Sequence, residues 1–179
     1  MQLFIYGSLM DRELLALVIG RATDELRMEA ATVHDFVCRR ALNESFPILV
    51  PHPGGRVEGI LVTDLTVADI ARLKFYEAAD CENAEYELTA LPVECRGEQL
   101  PAQTFLPTAL IAADETVWDF DTWAAAERPL FMAMIEERMS RYGSITTAEN
   151  NALWPQMKAE VERRFRHRHR PGTHNEPKA

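Results

Sequence analysis

An α+β domain with appended helices is the fold class the sequence predicts, and three observations predict it. Short apolar or alternating runs, punctuated by Gly, Pro and Asn, fill the first 110 residues. Capped segments with apolar residues three and four apart fill the last 60. A chain of 179 residues is long enough for one domain with a real core and hardly long enough for two. The expected division is a body over residues 1–115, a helical extension packed on it over 116–166, and a flexible tail over 167–179.

Leu3–Tyr6 reads as a strand, and it stops abruptly at Gly7-Ser8. Two readings of that stop are open. It is a tight strand-to-helix turn, with Gly7 permitting φ > 0 and Ser8 bonding nearby N–H groups. Or it is a binding loop whose unpaired N–H groups suit a carboxylate or an oxyanion. Asp11–Ile19 then reads as a helix ending near Gly20, and Glu29–Leu42 as a strand. The stretch 43–55, NESFPILVPHPGG, holds three Pro and two Gly and reads as a long loop. Val57–Thr63 alternates like a strand. Thr66 with Asp69 forms a capping-box pattern for a helix that ends near Tyr76. Tyr86–Cys95 and Leu100–Phe105 read as strands joined by a turn at Arg96–Gln99. In the last third Asp121 is the expected cap of a helix holding Trp123. Pro129 starts a second helix, with Gly143 as its stop. Thr146 with Glu149 is another capping box, and Leu153, Met157, Val161 and Phe165 make an apolar stripe.

Composition excludes several classes. Hydrophobic content of 47% and charged content of 26% are those of a globular protein. No apolar run approaches a membrane span, and Asp11, Arg12 and Glu13 break the early one, against a signal peptide. Cys38, Cys81 and Cys95, an odd count at unrelated spacings, point to reduced thiols and a cytoplasmic location. No CxxC pair supports zinc. The net charge of −9 argues against general nucleic-acid affinity. The charge is uneven, +4 from Met157 onward and −13 before it. Within that basic end, RRFRHRHR (163–170) reads as a solvated helix end or as a contact for an acidic partner. His167, His169 and His174 have Arg neighbours that repel a cation, so they are not read as a metal site.

Walker, GxGxxG, HExxH and GxSxG motifs are absent, and His34 and His52 stand alone. One acid stands out. Glu77 in LKFYEAAD follows Phe75 and Tyr76 and precedes Ala78 and Ala79. If it is poorly solvated its pKa rises, which suits general acid/base work near neutral pH; otherwise it is an exposed helix-end glutamate.

The order of these features carries a resemblance. YGSL (6–9), FPILVPHPGGRVEGIL (46–61), LKFYE (73–77) and EYELTALPVEC (85–95) resemble the γ-glutamylcyclotransferase-like superfamily, including its AIG2-like branch, over residues 2–110. The resemblance implies a small mixed β-barrel with flanking helices, here with a C-terminal helical extension. It implies that Tyr6, Gly7, Ser8 and Leu9 bind the glutamyl part of a substrate. Glu77 maps to the catalytic glutamate and Tyr86 to the tyrosine heading the next strand. The implied reaction cyclises a small γ-glutamyl amine or amide to 5-oxoproline and a free amine, with no metal or organic cofactor. Three positions depart from the family pattern: Lys74 stands for Asp, Ala78 for Gly and Leu88 for Arg. These motivate a second reading, an inactive small-molecule-binding or regulatory module. A third reading is an interaction protein working through its acidic body or basic tail. The extension, with Trp118, Trp123 and Trp154, offers either a homodimer surface or more core.

Overall fold

The computed structural model describes residues 1–168. Strands β1 (Leu3–Ile5), β2 (Arg27–Ala41), β3 (Pro47–Thr63), β4 (Tyr86–Cys95), β5 (Glu98–Pro107) and β6 (Ala113–Val117) form one mixed sheet. Its order is β3-β1-β5-β4-β2-β6, and β3 pairs with β2 as well, so the ladder from β3 returns to β3. The helices are α1 (Arg12–Ile19), α2 (Val67–Tyr76), α3 (Phe120–Ala126), α4 (Arg128–Met139), α5 (Thr147–Ala152) and α6 (Trp154–Arg168). This is the expected α+β architecture. Among the described residues, no helix is long and apolar enough to cross a membrane.

β1 sits between β3 and β5, antiparallel to the first and parallel to the second. Its alternate residues enter different cores: Leu3 and Ile5 join one cluster and Phe4 another. A strand buried on both faces has no polar alternation to show, which is why it reads as a short apolar run. The larger cluster holds Leu14, Leu15 and Val18 of α1 together with Trp123, Phe131 and Ile135 of α3 and α4. β6 runs across residue 115, the expected edge of the body.

The stretch 43–55 is not a long loop. From Pro47 it belongs to β3 and pairs with β2 through Pro47↔Arg40, Leu49↔Cys38 and Pro51↔Phe36. The prolines are tolerated because β1 meets β3 only at residues 60–62, leaving the other edge of this end of β3 unpaired. β6 was not foreseen; it adds to the outer edge of β2 through Arg39↔Val117 and Ala41↔Ala113. The turn between β4 and β5 is two residues, Arg96 and Gly97, with φ of 55° and 78°. Both values are positive, the signature of the hairpin turn whose twist matches the strands.

Two helix boundaries also differ. The cap of α3 is Asp119, whose carboxylate accepts from Thr122 N at 2.8 Å, and Asp121 lies in the first turn. α4 ends at Met139, short of Gly143. Both capping boxes form, at Thr66/Asp69 and Thr146/Glu149. Asp69 also accepts from Arg21 at 2.8 Å, tying α1 to α2. The Arg21 hydrogen bonds outweigh burial and hold its pKa at about 2. Of the apolar stripe on α6, Met157 and Val161 are buried and Leu153 is 39% exposed. His167 and Arg168 end α6; His169, His174 and the rest of the expected tail lie outside the described residues.

Gly59, the glycine of the VEG strand, shows how tightly the sheet packs. A Cβ there would lie 2.5 Å from the Ile5 carbonyl oxygen and 2.5 Å from the Phe4 ring. Gly59→Ala is expected to destabilise the fold by about 1–3 kcal/mol, read as a lower urea midpoint, because both neighbours sit in β1 and cannot yield.

Candidate functional site

A small cavity lies where the end of α2 and the head of β4 meet α4 and α6. One wall is Phe46, Tyr76, Glu77, Glu85 and Tyr86, and the other is Phe131, Ile135, Arg138 and Trp154. Local structure explains how Glu77 and Tyr86 meet. Glu77 is the C-cap of α2, its N–H donating to Leu73 O at 2.9 Å. The chain then turns back through Ala78 (φ 51°) and Asp80 (φ 56°). Glu85 N donates to Ala78 O at 3.2 Å and closes this loop, which puts Tyr86 at the head of β4 beside Glu77.

The three departures from the family pattern acquire physical explanations here. Ala78 stands where the backbone is left-handed, the conformation for which glycine is suited, and carries a strain of about 1–2 kcal/mol there. Lys74 pairs with Asp80 and braces the same loop. Leu88 packs on the main core. None of the three lines the cavity.

Glu77 keeps some surface open to the cavity, yet protein surrounds its carboxyl, and burial pushes its pKa up to about 8. The positive charge of Arg138 opposes this rise and the negative charge of Glu85 adds to it. Burial likewise pushes the phenols of Tyr6, Tyr76 and Tyr86 upward, and the charge of Glu77 contributes to each. At neutral pH the cavity therefore presents the two O–H groups of Tyr76 and Tyr86 and a carboxyl able to take or give a proton.

The residues of the first turn stand apart from this cavity. Gly7–Met10 forms a 3₁₀ turn in which Gly7 (φ 63°), Ser8 and Leu9 are buried. An added Cβ on Gly7 would lie 2.3 Å from Pro47 Cγ, so this position excludes any other residue. Tyr6 donates to Phe105 O at 3.0 Å. None of the four lines the cavity; they reach it through Ser8, whose Oγ is 3.4 Å from the Tyr76 hydroxyl. Among the described residues no three of His, Cys, Asp and Glu converge as metal ligands.

The whole helical wall escaped the sequence reading. Arg138 had a visible signal: it falls on the stripe Phe131, Met134, Ile135, Arg138, where the spacing calls for an apolar residue. Glu85 and Tyr76 lie beside the residues already singled out and had no signal of their own.

Comparison with known proteins places this geometry. A family model described as gamma-glutamyl cyclotransferase, AIG2-like, matches residues 3–125. Among curated proteins of Arabidopsis thaliana, Protein AIG2 C is 21% identical over 133 residues, covering 72% of this chain and 75% of that protein. AIG2-like protein D is 24% identical over 135 residues, covering 75% of this chain and 86% of that protein. A solved structure titled gamma-glutamyl cyclotransferase superposes with a TM-score of 0.54 at 14% identity, covering 87% of this chain and 98% of that one. At such identity the superposition speaks for the fold.

Proposed function

Because the chain belongs to the gamma-glutamyl cyclotransferase, AIG2-like family, we propose that it cyclises a small γ-glutamyl amine or amide, releasing 5-oxoproline and a free amine. The observation that carries this reading is Glu77, a carboxyl with its pKa raised to about 8 inside a cavity. That value is close to the proton affinity of an α-amine, about 8. Glu77 takes a proton from the substrate's α-amine, and the amine nitrogen attacks the γ-carbonyl carbon. As the tetrahedral intermediate collapses, Glu77 gives the proton to the departing nitrogen, the C–N bond breaks, and the five-membered lactam remains. Buried O–H groups, Tyr86 foremost, are on hand to donate to the developing oxyanion. The turn Tyr6–Leu9 supports the glutamyl subsite from behind the lining, with Ser8 acting through Tyr76. Ring closure is intramolecular, so holding the substrate folded supplies much of the rate. The returning ladder of β3, β1, β5, β4 and β2 supports reading the sheet as a small barrel with this cavity at one end.

The test is an incubation of purified protein with γ-glutamyl dipeptides, glutathione and γ-glutamyl derivatives of lysine and polyamines, followed by mass spectrometry for 5-oxoproline. Product is expected from at least one compound. A thermal shift with one of them and product from none would replace the enzyme by a binding module on the same cavity.

A further inference from the structure

Arg138 is the most unusual charge in the molecule. It is 5% exposed, in the last turn of α4, and it lines the same cavity as Glu77. Its Nε has no hydrogen-bond partner, and its Nη2 reaches only Phe75 O, at 3.5 Å. The guanidinium lies 5.3 Å from the centre of the Trp154 ring. Among the described residues it forms no ion pair, while Arg21, Arg40, Arg128 and Arg141 each have a carboxylate partner. A buried guanidinium without a carboxylate is costly, and contact with an aromatic face offsets only part of that cost. Glu85 and Glu77 line the same cavity and their negative charge favours the guanidinium, but neither forms an ion pair with it, and Glu77 stays largely protonated at neutral pH.

We propose that Arg138 anchors a carboxylate of the substrate, so that the γ-glutamyl compounds taken here carry an acidic group directed at α4. This rests on the γ-glutamyl reading of the site and names its substrate class. A guanidinium is a planar fork of donors that suits a carboxylate bound through two oxygens. Among the described residues Arg138 is the one cation in the lining of the cavity. Arg138 lies beyond residue 125, where the family match ends, so the anchor is a contribution of the extension.

Two carboxylates could fill the role, that of the leaving amino acid or the α-carboxylate of the glutamyl group. Calorimetric binding in a Glu77→Gln background separates them. The probes are γ-glutamylglycine, γ-glutamyl methylamide, which lacks the leaving-group carboxylate, and 4-aminobutanoylglycine, which lacks the glutamyl one. Adding Arg138→Met is expected to weaken γ-glutamylglycine by roughly 10- to 100-fold. The loss disappears for whichever probe lacks the anchored group. Arg138→Met should also leave Tm unchanged or raise it, since a methionine carries no charge to bury. An equal loss for all three probes with a lowered Tm marks a structural arginine and overturns the proposal. So does an unchanged affinity, or failure of every probe to bind. Arg138-dependent binding without turnover by the wild type would instead remove the catalytic reading and leave the carboxylate site standing.

Discussion

Glu77→Gln lowers 5-oxoproline formation by roughly 10²- to 10⁴-fold and leaves the protein folded. The amide has nearly the shape of the protonated acid but cannot take a proton. In the wild type, the same raised pKa sets two pH dependences of opposite sense. Activity rises with pH as Glu77 ionises, with a midpoint near 8. Stability runs the other way. The fold favours the protonated carboxyl, so the contribution is complete below 4.5, the unfolded value, and is lost as pH rises through about 8. The slope from this one group is at most about 1.4 kcal/mol per pH unit. Glu77→Gln removes it: the variant should match the wild type in urea denaturation at acid pH and exceed it at pH above about 8. Equal pH dependence of wild type and variant would show that Glu77 is solvated, and would take the general-base role with it.

Trp123→Ala should be the most damaging single change to the fold, at about 3–5 kcal/mol. Trp123 is 1% exposed, and the rings of Trp118, Phe120 and Phe131 lie 5.9, 5.8 and 5.6 Å from it. It sits in α3, within the extension, yet belongs to the same cluster as Leu3 and Ile5 of β1. If body and extension unfold together, one cooperative urea transition moves to lower concentration whichever probe follows it. Two separated transitions would make the extension a module of its own. Phe131 both meets Trp123 edge to face and lines the cavity, so the variant should lose ligand binding along with stability.

Where local chemistry fixes an element, the sequence was readable. Thr66 and Thr146 cap their helices with their own side chains and a carboxylate three residues on. Glu77 stood out because its neighbours are apolar, and burial does raise its pKa. Where a distant partner decides, the sequence was silent or misleading. Pro47, Pro51 and Pro53 argue against a strand unless one knows that β3 is unpaired on one side there. β6 exists because the edge of β2 accepts it; its residues ADETV carry no alternation. The helical wall of the cavity depends on how α4 and α6 dock, which no motif encodes. Arg138 illustrates both cases. Its position in an apolar stripe was legible, but its place in the same cavity as Glu77 required the tertiary structure.

The placement of β1 has a consequence for synthesis. Leu3 is made well before its partners, Val62 on one side and Gln103 on the other. The β2–β3 and β4–β5 hairpins close from neighbouring sequence while β1 waits. Until those partners are made the nascent chain carries a fully apolar tripeptide with open edges, a segment that favours association with other chains. Its brevity limits that hazard, and so does the charged start of α1, Asp11-Arg12-Glu13, which follows closely. β1 is enclosed only once both β3 and β5 are in place.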